Sequence, residues 1–333
     1  MPSWAVGAAL TVLASGCGRG VLVEGTLADD TPAMAASATA EAPPPAPGPH
    51  VDVVLLGTGT PIPDPERQGP ATAVVVDGLP LLFDAGPGVV RQAQAAADRH
   101  RLRALSPESY RHVFLTHLHS DHTTGLPDLL LGAWVLGRRS PVRVVGPPGT
   151  QAMVDGILSS WQADMAIRKG VEDLPASGIQ VEVLETEGGV VFEEGELQVR
   201  ALKVPHGTWD VALGFVVQAG PRRVVISGDT APSAPLMAAC DGCDLLVHEV
   251  YSKRGFDRVP VASFQTYHGT FHTSGLELGV LATQARAQKV VLTHQLFFGS
   301  PEEQVVDEVK AGFAGPVVSG HDLQRFRVGR AGG

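Results

Sequence analysis

Cysteine is nearly absent, with three in 333 residues, too few for a fold stapled by disulfides. Basic residues are outnumbered as well. The 25 Lys and Arg against 35 Asp and Glu leave a net charge of −10, so no cationic face is expected to capture a long polyanion by counterion release, and nucleic acid is disfavoured as a partner. Aromatic residues make up only 5%, and no apolar run reaches the roughly 20 residues that a membrane-spanning helix needs. What remains is an ordinary globular mixture, 44% hydrophobic and 18% charged.

Two N-terminal segments stand apart. The apolar stretch Ala5 to Leu13, followed by Ala14-Ser15-Gly16-Cys17, reads as a short secretory core running into a lipoprotein-type cleavage site. Residues 1–17 are therefore expected to be a leader, with Cys17 carrying a lipid that ties the chain to a membrane. Residues 18–50, rich in Ala, Thr, Glu and Pro and ending in Ala42-Pro43-Pro44-Pro45-Ala46-Pro47-Gly48-Pro49, cannot bury a core and are expected to form an extended spacer. Residues 51–333 then form one folded domain, exported to the periplasm or outer surface of a bacterium, with self-association left open. The pair Cys240-Asp241-Gly242-Cys243 lacks the second pair of ligands a zinc knuckle needs, which leaves two buried thiols or a local disulfide.

From Val51 onward short apolar or β-branched runs alternate with helical periodicity. Strands are expected at 51–56, 72–76, 79–83, 112–116 and 142–145, with helices at 89–105 and 126–136. The second half repeats the order, with strands at 180–185, 197–203, 212–218, 222–227, 244–249, 289–293 and 316–318 and helices at 233–240, 275–287 and 301–313. Two strand-rich blocks of this kind predict an α/β protein with two mixed sheets face to face and helices outside, a four-layer αββα sandwich with loop ends along one edge.

The chemistry gathers at strand ends. The strand ending at Thr116 runs into His117-Leu118-His119-Ser120-Asp121-His122, three imidazoles and a carboxylate in six positions. His117 and His119, two apart on an extended backbone, project the same way and can hold one ion, while the turn that follows lets Asp121 and His122 face another. Solvated loop histidines would be the bland reading, but three of the chain's 12 histidines within six residues argue for metal. His206, Asp229, His248-Glu249 and His294 each follow a further apolar run. Singly each would more often be structural; jointly they can complete two coordination shells.

This set resembles the metallo-β-lactamase superfamily, whose His-x-His-x-Asp-His motif is followed by a separate His, Asp and His. The resemblance covers nearly all of 51–333. It implies two Zn2+ ions, one held by His117, His119 and His206, the other by Asp121, His122 and His294, with Asp229 bridging. An Asp at the bridging position is shared by the phosphodiesterases, lactonases and thioesterases of that superfamily, and true β-lactamases generally lack it. Leu55-Leu56-Gly57-Thr58-Gly59-Thr60-Pro61, Phe83-Asp84-Ala85-Gly86, His248-Glu249 and His272-Thr273 look like ribonuclease Z and the arylsulfatase-like hydrolases beside it. Pro61 to Arg67, Gly125 to Asp128, Ser227 to Thr230 and His248 to Ser252 look closer to the arylsulfatase-like group.

The expected activity is hydrolysis of a small anionic substrate, a phosphodiester or aryl sulfate ester, by a metal-activated hydroxide. Asp121 would orient it, and the resemblance assigns leaving-group protonation to His272 positioned by Glu249, a pairing expected to raise the imidazole pKa. Helix capping is the competing role for this segment, since Ser274 and Glu277 can form a capping box. Tyr251, Tyr267, Trp209, Trp134 and His268 are candidates to line the pocket. Asp84 and Gly86 read as a supporting turn, Gly57 and Gly59 as points of close backbone approach.

Three alternatives stay open. A ribonuclease Z-like tRNA 3′-processing endonuclease would need a basic arm, yet residues 151–200 carry 10 acidic residues against 3 basic. A lactone or thioester hydrolase would use the same seven ligands. A zinc-binding lipoprotein without catalysis would normally close its site with four ligands.

Overall fold

A computed structural model describes residues 48–329, the side chains of 262–264 excepted. The expected leader at 1–17, its Cys17, and all but the last three residues of the 18–50 spacer lie outside the described residues.

The first half builds β1 (Val51–Gly57), β2 (Ala71–Val76), β3 (Leu79–Phe83), α1 (Val89–His100), β4 (His112–Phe114), α2 (Ser120–Thr123), α3 (Leu126–Val135), β5 (Val142–Gly146), α4 (Thr150–Ser160), α5 (Gln162–Val171) and β6 (Val181–Glu185). The second builds β7 (Gly189–Glu194), β8 (Leu197–Val204), β9 (Ala212–Ala219), β10 (Arg222–Ile226), α6 (Ala234–Cys240), β11 (Leu245–Tyr251), α7 (Lys253–Phe256), α8 (Ala262–Phe271), α9 (Gly275–Gln284), β12 (Val290–Leu296), α10 (Glu302–Lys310), β13 (Val317–Ser319) and β14 (Arg325–Val328). They form two seven-stranded sheets, in the orders β14-β1-β2-β3-β4-β5-β6 and β13-β12-β11-β10-β9-β8-β7.

Three apolar layers explain why the sheets stack. Between them lie Val53, Leu81, Phe83 and Phe114 from one sheet against Val199, Phe215, Ile226 and Val247 from the other. The outer face of the first sheet buries Val54, Leu82 and Val113 against Ala93 of α1 and Leu129 of α3. The outer face of the second buries Val225, Leu246 and Leu292 against Leu236 of α6, Leu278 of α9 and Val305 of α10. Strands covered on both faces carry unbroken apolar runs rather than alternation, and β1 and β11 are buried at every position. The αββα sandwich expected from the sequence is the observed fold.

The differences have local causes. The strand expected at 112–116 stops at Phe114 because the Thr116 N–H donates to the Asp84 side chain (2.8 Å) instead of a neighbouring strand. Helices α4 and α5 had no sequence-level assignment; α5 is amphipathic but lies at the surface, with no residue fully buried and Met165 packed against the Leu131, Trp134 and Ile179 cluster. Strand β7 and the short α7 and α8 also escaped the pattern, as did β14, which returns to pair with β1. Of the two states left open for Cys240 and Cys243, the structure has the disulfide, buried at the end of α6.

Trp134 is not a pocket residue. It is fully buried with Leu131 and Ile179, and its indole N–H donates to the Pro175 carbonyl at 2.9 Å. Trp134→Ala should lower stability by about 3–5 kcal/mol, the range for emptying an aromatic site in a close-packed core, read as a fall in the denaturation midpoint.

Candidate metal centre

Strands β3 and β4 run parallel, as do β10, β11 and β12, so their carboxyl ends reach one edge of the sandwich, where open α/β sheets place their sites. Asp84 leaves β3 with φ 59, a left-handed conformation rare outside glycine. Its carboxylate accepts from the Thr116 N–H (2.8 Å) and hydroxyl (2.8 Å) and from His122 Nδ1 (2.8 Å). The Thr116 hydroxyl oxygen in turn accepts from His117 Nδ1 at 2.9 Å, and the Phe271 carbonyl accepts from His206 Nδ1 at 2.8 Å. With each Nδ1 proton so engaged, His117, His122 and His206 present Nε2 lone pairs, the outer-shell arrangement that orients metal-binding histidines. Gly86, two residues on, cannot be larger: a Cβ there would collide with backbone atoms of Gly69 and Asp121.

The presented atoms converge. His117 Nε2 lies 2.9 Å from His119 Nδ1, which lies 3.3 Å from His206 Nε2. Asp229 Oδ2 is 3.4 Å from both His122 Nε2 and His294 Nε2 and 3.9 Å from His117 Nε2. Asp121 Oδ2 is 3.2 Å from His294 Nε2 and 3.5 Å from His122 Nε2. Donor atoms of His117, His119, His206 and Asp229 all lie within 4.8 Å of one another, as do those of Asp121, His122 and His294. His122 Nε2 and Asp229 Oδ1 are buried with no hydrogen-bond partner, which native interiors rarely tolerate. Imidazole nitrogens this close repel unless a proton or a cation sits among them, and a set of nitrogens and carboxylate oxygens suits a borderline cation such as zinc. The residues present therefore fit the group that the motif implies.

Electrostatics divide the centre. Burial lowers His206 to about 4 and holds His117 well below the usual imidazole value, so these ligands stand neutral, as metal binding requires. Burial also disfavours charge on His122 and His294, but Asp229 with Asp84 for the first, and Asp229 with Asp121 for the second, outweigh it and raise both. The acidic half of the centre attracts positive charge.

His294 owes its aim to a bulge. Pairing between β11 and β12 skips from Glu249↔Thr293 to Val250↔Gln295, leaving His294 as the extra residue with φ 44. Such an insertion turns one side chain out of the ladder, here toward Asp121 and Asp229. Glu249 lies inside β11 rather than at its end, with Oε1 accepting from Thr273 N (2.9 Å) and Thr230 N (3.3 Å). Its Oε2 is 3.4 Å from His272 Nδ1. The expected rise in the His272 pKa is not found: burial lowers it to about 4, against the pull of Asp229. Glu249 moves up instead, through burial and the nearby Asp229. Capping of α9 falls to the Ser274–Glu277 box, which leaves the His272 side chain outside that role.

A cavity of about 280 Å³ opens on these residues, lined by His119, Asp121, Asp229, His272 and His294 together with Pro61, Ile62, Tyr267, Leu296 and Phe298. Of the suggested lining residues, Tyr267 and His268 are in place. Trp209 instead donates its indole N–H to His119 Nε2 at 2.9 Å, and Tyr251 is buried on Phe256. Ile62, Leu296 and Phe298 were missed because single apolar residues in loops and strand ends carry no pattern. Thr116 was missed too, although a hydroxyl directly before the His motif was a readable signal.

Residues 80–295 match the model of the beta-lactamase superfamily domain. A ribonuclease Z of Mycobacterium sp. (strain KMS) is 35% identical over 269 residues, 79% of this chain and 90% of that protein. Among solved structures, the short form of human tRNase Z (ELAC1) superposes with TM-score 0.63 at 23% identity, covering 84% of this chain and all of that one. Zinc-bound PqqB of Methylobacterium extorquens superposes with TM-score 0.55 at 20% identity, covering 83% and 99%. The mycobacterial relative favours the ribonuclease Z side over the arylsulfatase-like group that the sequence motifs preferred, while the solved structures show the shared fold. From its matched domain, its relatives and its fold, the chain belongs to the metallo-β-lactamase superfamily, on the ribonuclease Z-like branch.

Proposed function

We propose that this hydrolase cleaves phosphodiester bonds, using two zinc ions held by His117, His119 and His206 and by Asp121, His122 and His294, with Asp229 between them. The observation that carries this reading is the convergence of seven buried or half-buried donors, with His122 Nε2 and Asp229 Oδ1 buried without a hydrogen-bond partner. Bound there, the ions would supply a water acidic enough to attack at neutral pH and positive charge against the phosphoryl oxygens. The chain's own residues do the rest. Asp84 fixes the tautomer of His122 directly and that of His117 through Thr116. His272 turns Nδ1 toward Glu249, which leaves Nε2–H as the proton to give to the leaving oxygen while Nδ1 takes the proton from the neutral Glu249 carboxyl. The leaving group departs protonated and the carboxylate remains.

The relatives' name points to an RNA substrate of the ribonuclease Z kind, in place of the aryl sulfate first expected. A small phosphodiester is the second reading, favoured by the absence of any Lys or Arg from the described cavity lining. Arg67, which lines adjoining cavities that share Ile62 with this one, is already engaged by Thr58, the Gly320 carbonyl and Glu302. Export behind the leader at 1–17, with lipid on Cys17, is a separate proposal that would part the chain from precursor tRNA and so goes with the small phosphodiester; fractionation with palmitate labelling tests it.

The deciding experiment offers the zinc-reconstituted chain a precursor tRNA with a 3′ extension, bis(4-nitrophenyl) phosphate and 4-nitrophenyl sulfate. Phosphodiester turnover that chelation removes and zinc restores is expected, with the sulfate untouched, and the preferred phosphodiester separates the two readings. Zinc-dependent sulfate turnover without phosphodiester cleavage overturns the proposal. His272→Ala should lower kcat about 100- to 10,000-fold, the range for losing a positioned acid, with little change in KM. The loss should shrink for esters whose leaving group is already acidic.

A further inference from the structure

We propose that the cavity beside the metal centre holds a subsite for a flat aromatic ring carried on the phosphoryl group, formed by Ile62, Tyr267, Leu296 and Phe298. The inference deepens the phosphodiesterase reading and rests on it for the phosphoryl end. These four side chains line the same cavity as the donor set. No Lys or Arg lines it among the described residues, while Asp121 and Asp229 do, and Arg67, which lines the adjoining cavities, is already paired with Glu302, so the cavity favours an uncharged group beside the phosphoryl end. Ile62 is 65% and Tyr267 43% exposed, large apolar surface left in water at a cavity mouth, a mark of ligand sites.

The wall is braced. Phe298 holds φ 48, a conformation that costs a bulky L-residue energy and persists where its surroundings enforce it. Its ring lies 5.6 Å from Phe256 and 5.2 Å from His268. Tyr267 stacks on Phe271 with ring centroids 4.0 Å apart. A ring entering between such surfaces gains apolar burial and stacking without first ordering its walls. The same chemistry is offered by an aryl ester and by the nucleobase of an RNA end.

The test is calorimetric binding of phenylphosphonate, methylphosphonate and uridine monophosphate to the full, zinc-loaded chain. Phenylphosphonate should bind at least about tenfold tighter than methylphosphonate, and Ile62→Ser and Phe298→Ala should each narrow the ratio to under about threefold, as loss of buried apolar area requires. Ile62 is exposed, so its variant keeps the fold if Phe298→Ala does not. Tighter binding of the nucleotide than of phenylphosphonate assigns the ring to a nucleobase, and the reverse to an aryl ester. Equal phosphonate affinities, no binding of either, or a ratio unchanged in both variants overturns the subsite. Affinity is read without turnover, so a chain that hydrolyses no phosphodiester yet keeps the ratio loses the phosphodiesterase reading and retains the subsite.

Discussion

Asp229→Ala is expected to release metal and to end turnover together. Its Oδ2 lies within 4 Å of His117, His122 and His294, so among the described residues it is the carboxylate that reaches both halves of the centre. Without it the five imidazoles and Asp121 share one negative charge where two stood, and a pair of divalent ions gathered there would repel with less between them. The metal content of purified protein, measured by elemental analysis, should fall below that of the wild type. The rate should drop on the order of 100- to 1,000-fold or more, since charge is lost where the transition state develops it. Full metal content with ordinary turnover would remove Asp229 from the centre.

Asp84→Ala should act on stability first. The carboxylate is 5% exposed and accepts from three donors, the Thr116 N–H and hydroxyl and His122 Nδ1. Truncation strands all three in the interior, and the variant should lose about 3–5 kcal/mol in denaturant unfolding of the metal-free chain, the cost of removing one partner of a buried charged pair. Freed of its anchor, the His122 ring can rotate, so metal affinity should fall about 10- to 100-fold by chelator competition, as for other outer-shell carboxylates. Asp84→Asn, which keeps an acceptor oxygen, should lose less in both measurements. A variant as stable as the wild type would mean that Thr116 and His122 find other partners.

Much of this was readable from the chain. The His117 to His122 run announced a candidate metal site because imidazoles seldom crowd one turn for packing alone, and the apolar runs before His206, Asp229 and His294 pointed to the remaining donors, the first two just beyond strand ends and His294 within β12. Periodicity gave the sandwich because each buried strand carries its own short β-branched signature. What escaped depends on distance. That Asp84 serves His122 across 38 positions, and that a bulge turns His294 inward, are facts of pairing between strands. The direction of the His272 shift was misjudged because the sequence shows the neighbouring carboxylate but not the depth of burial, and burial is the larger effect. Helix α5 was overlooked at the surface, where Ile167 and Val171 are exposed and Met165 is only partly buried.

The proposed ligands come from both sheets, beginning with His117 on the first and ending with His294 on the bulged strand of the second. A chain still being synthesised has the dense histidine run less than halfway through its length, but no second half to set against it. The centre is thus complete only after the bulk of the sandwich has closed, and metal acquisition becomes one of the last events in the protein's maturation. Ions seated there would clip one sheet to the other, so the two halves of the fold should separate more slowly in the loaded protein than in the metal-free one.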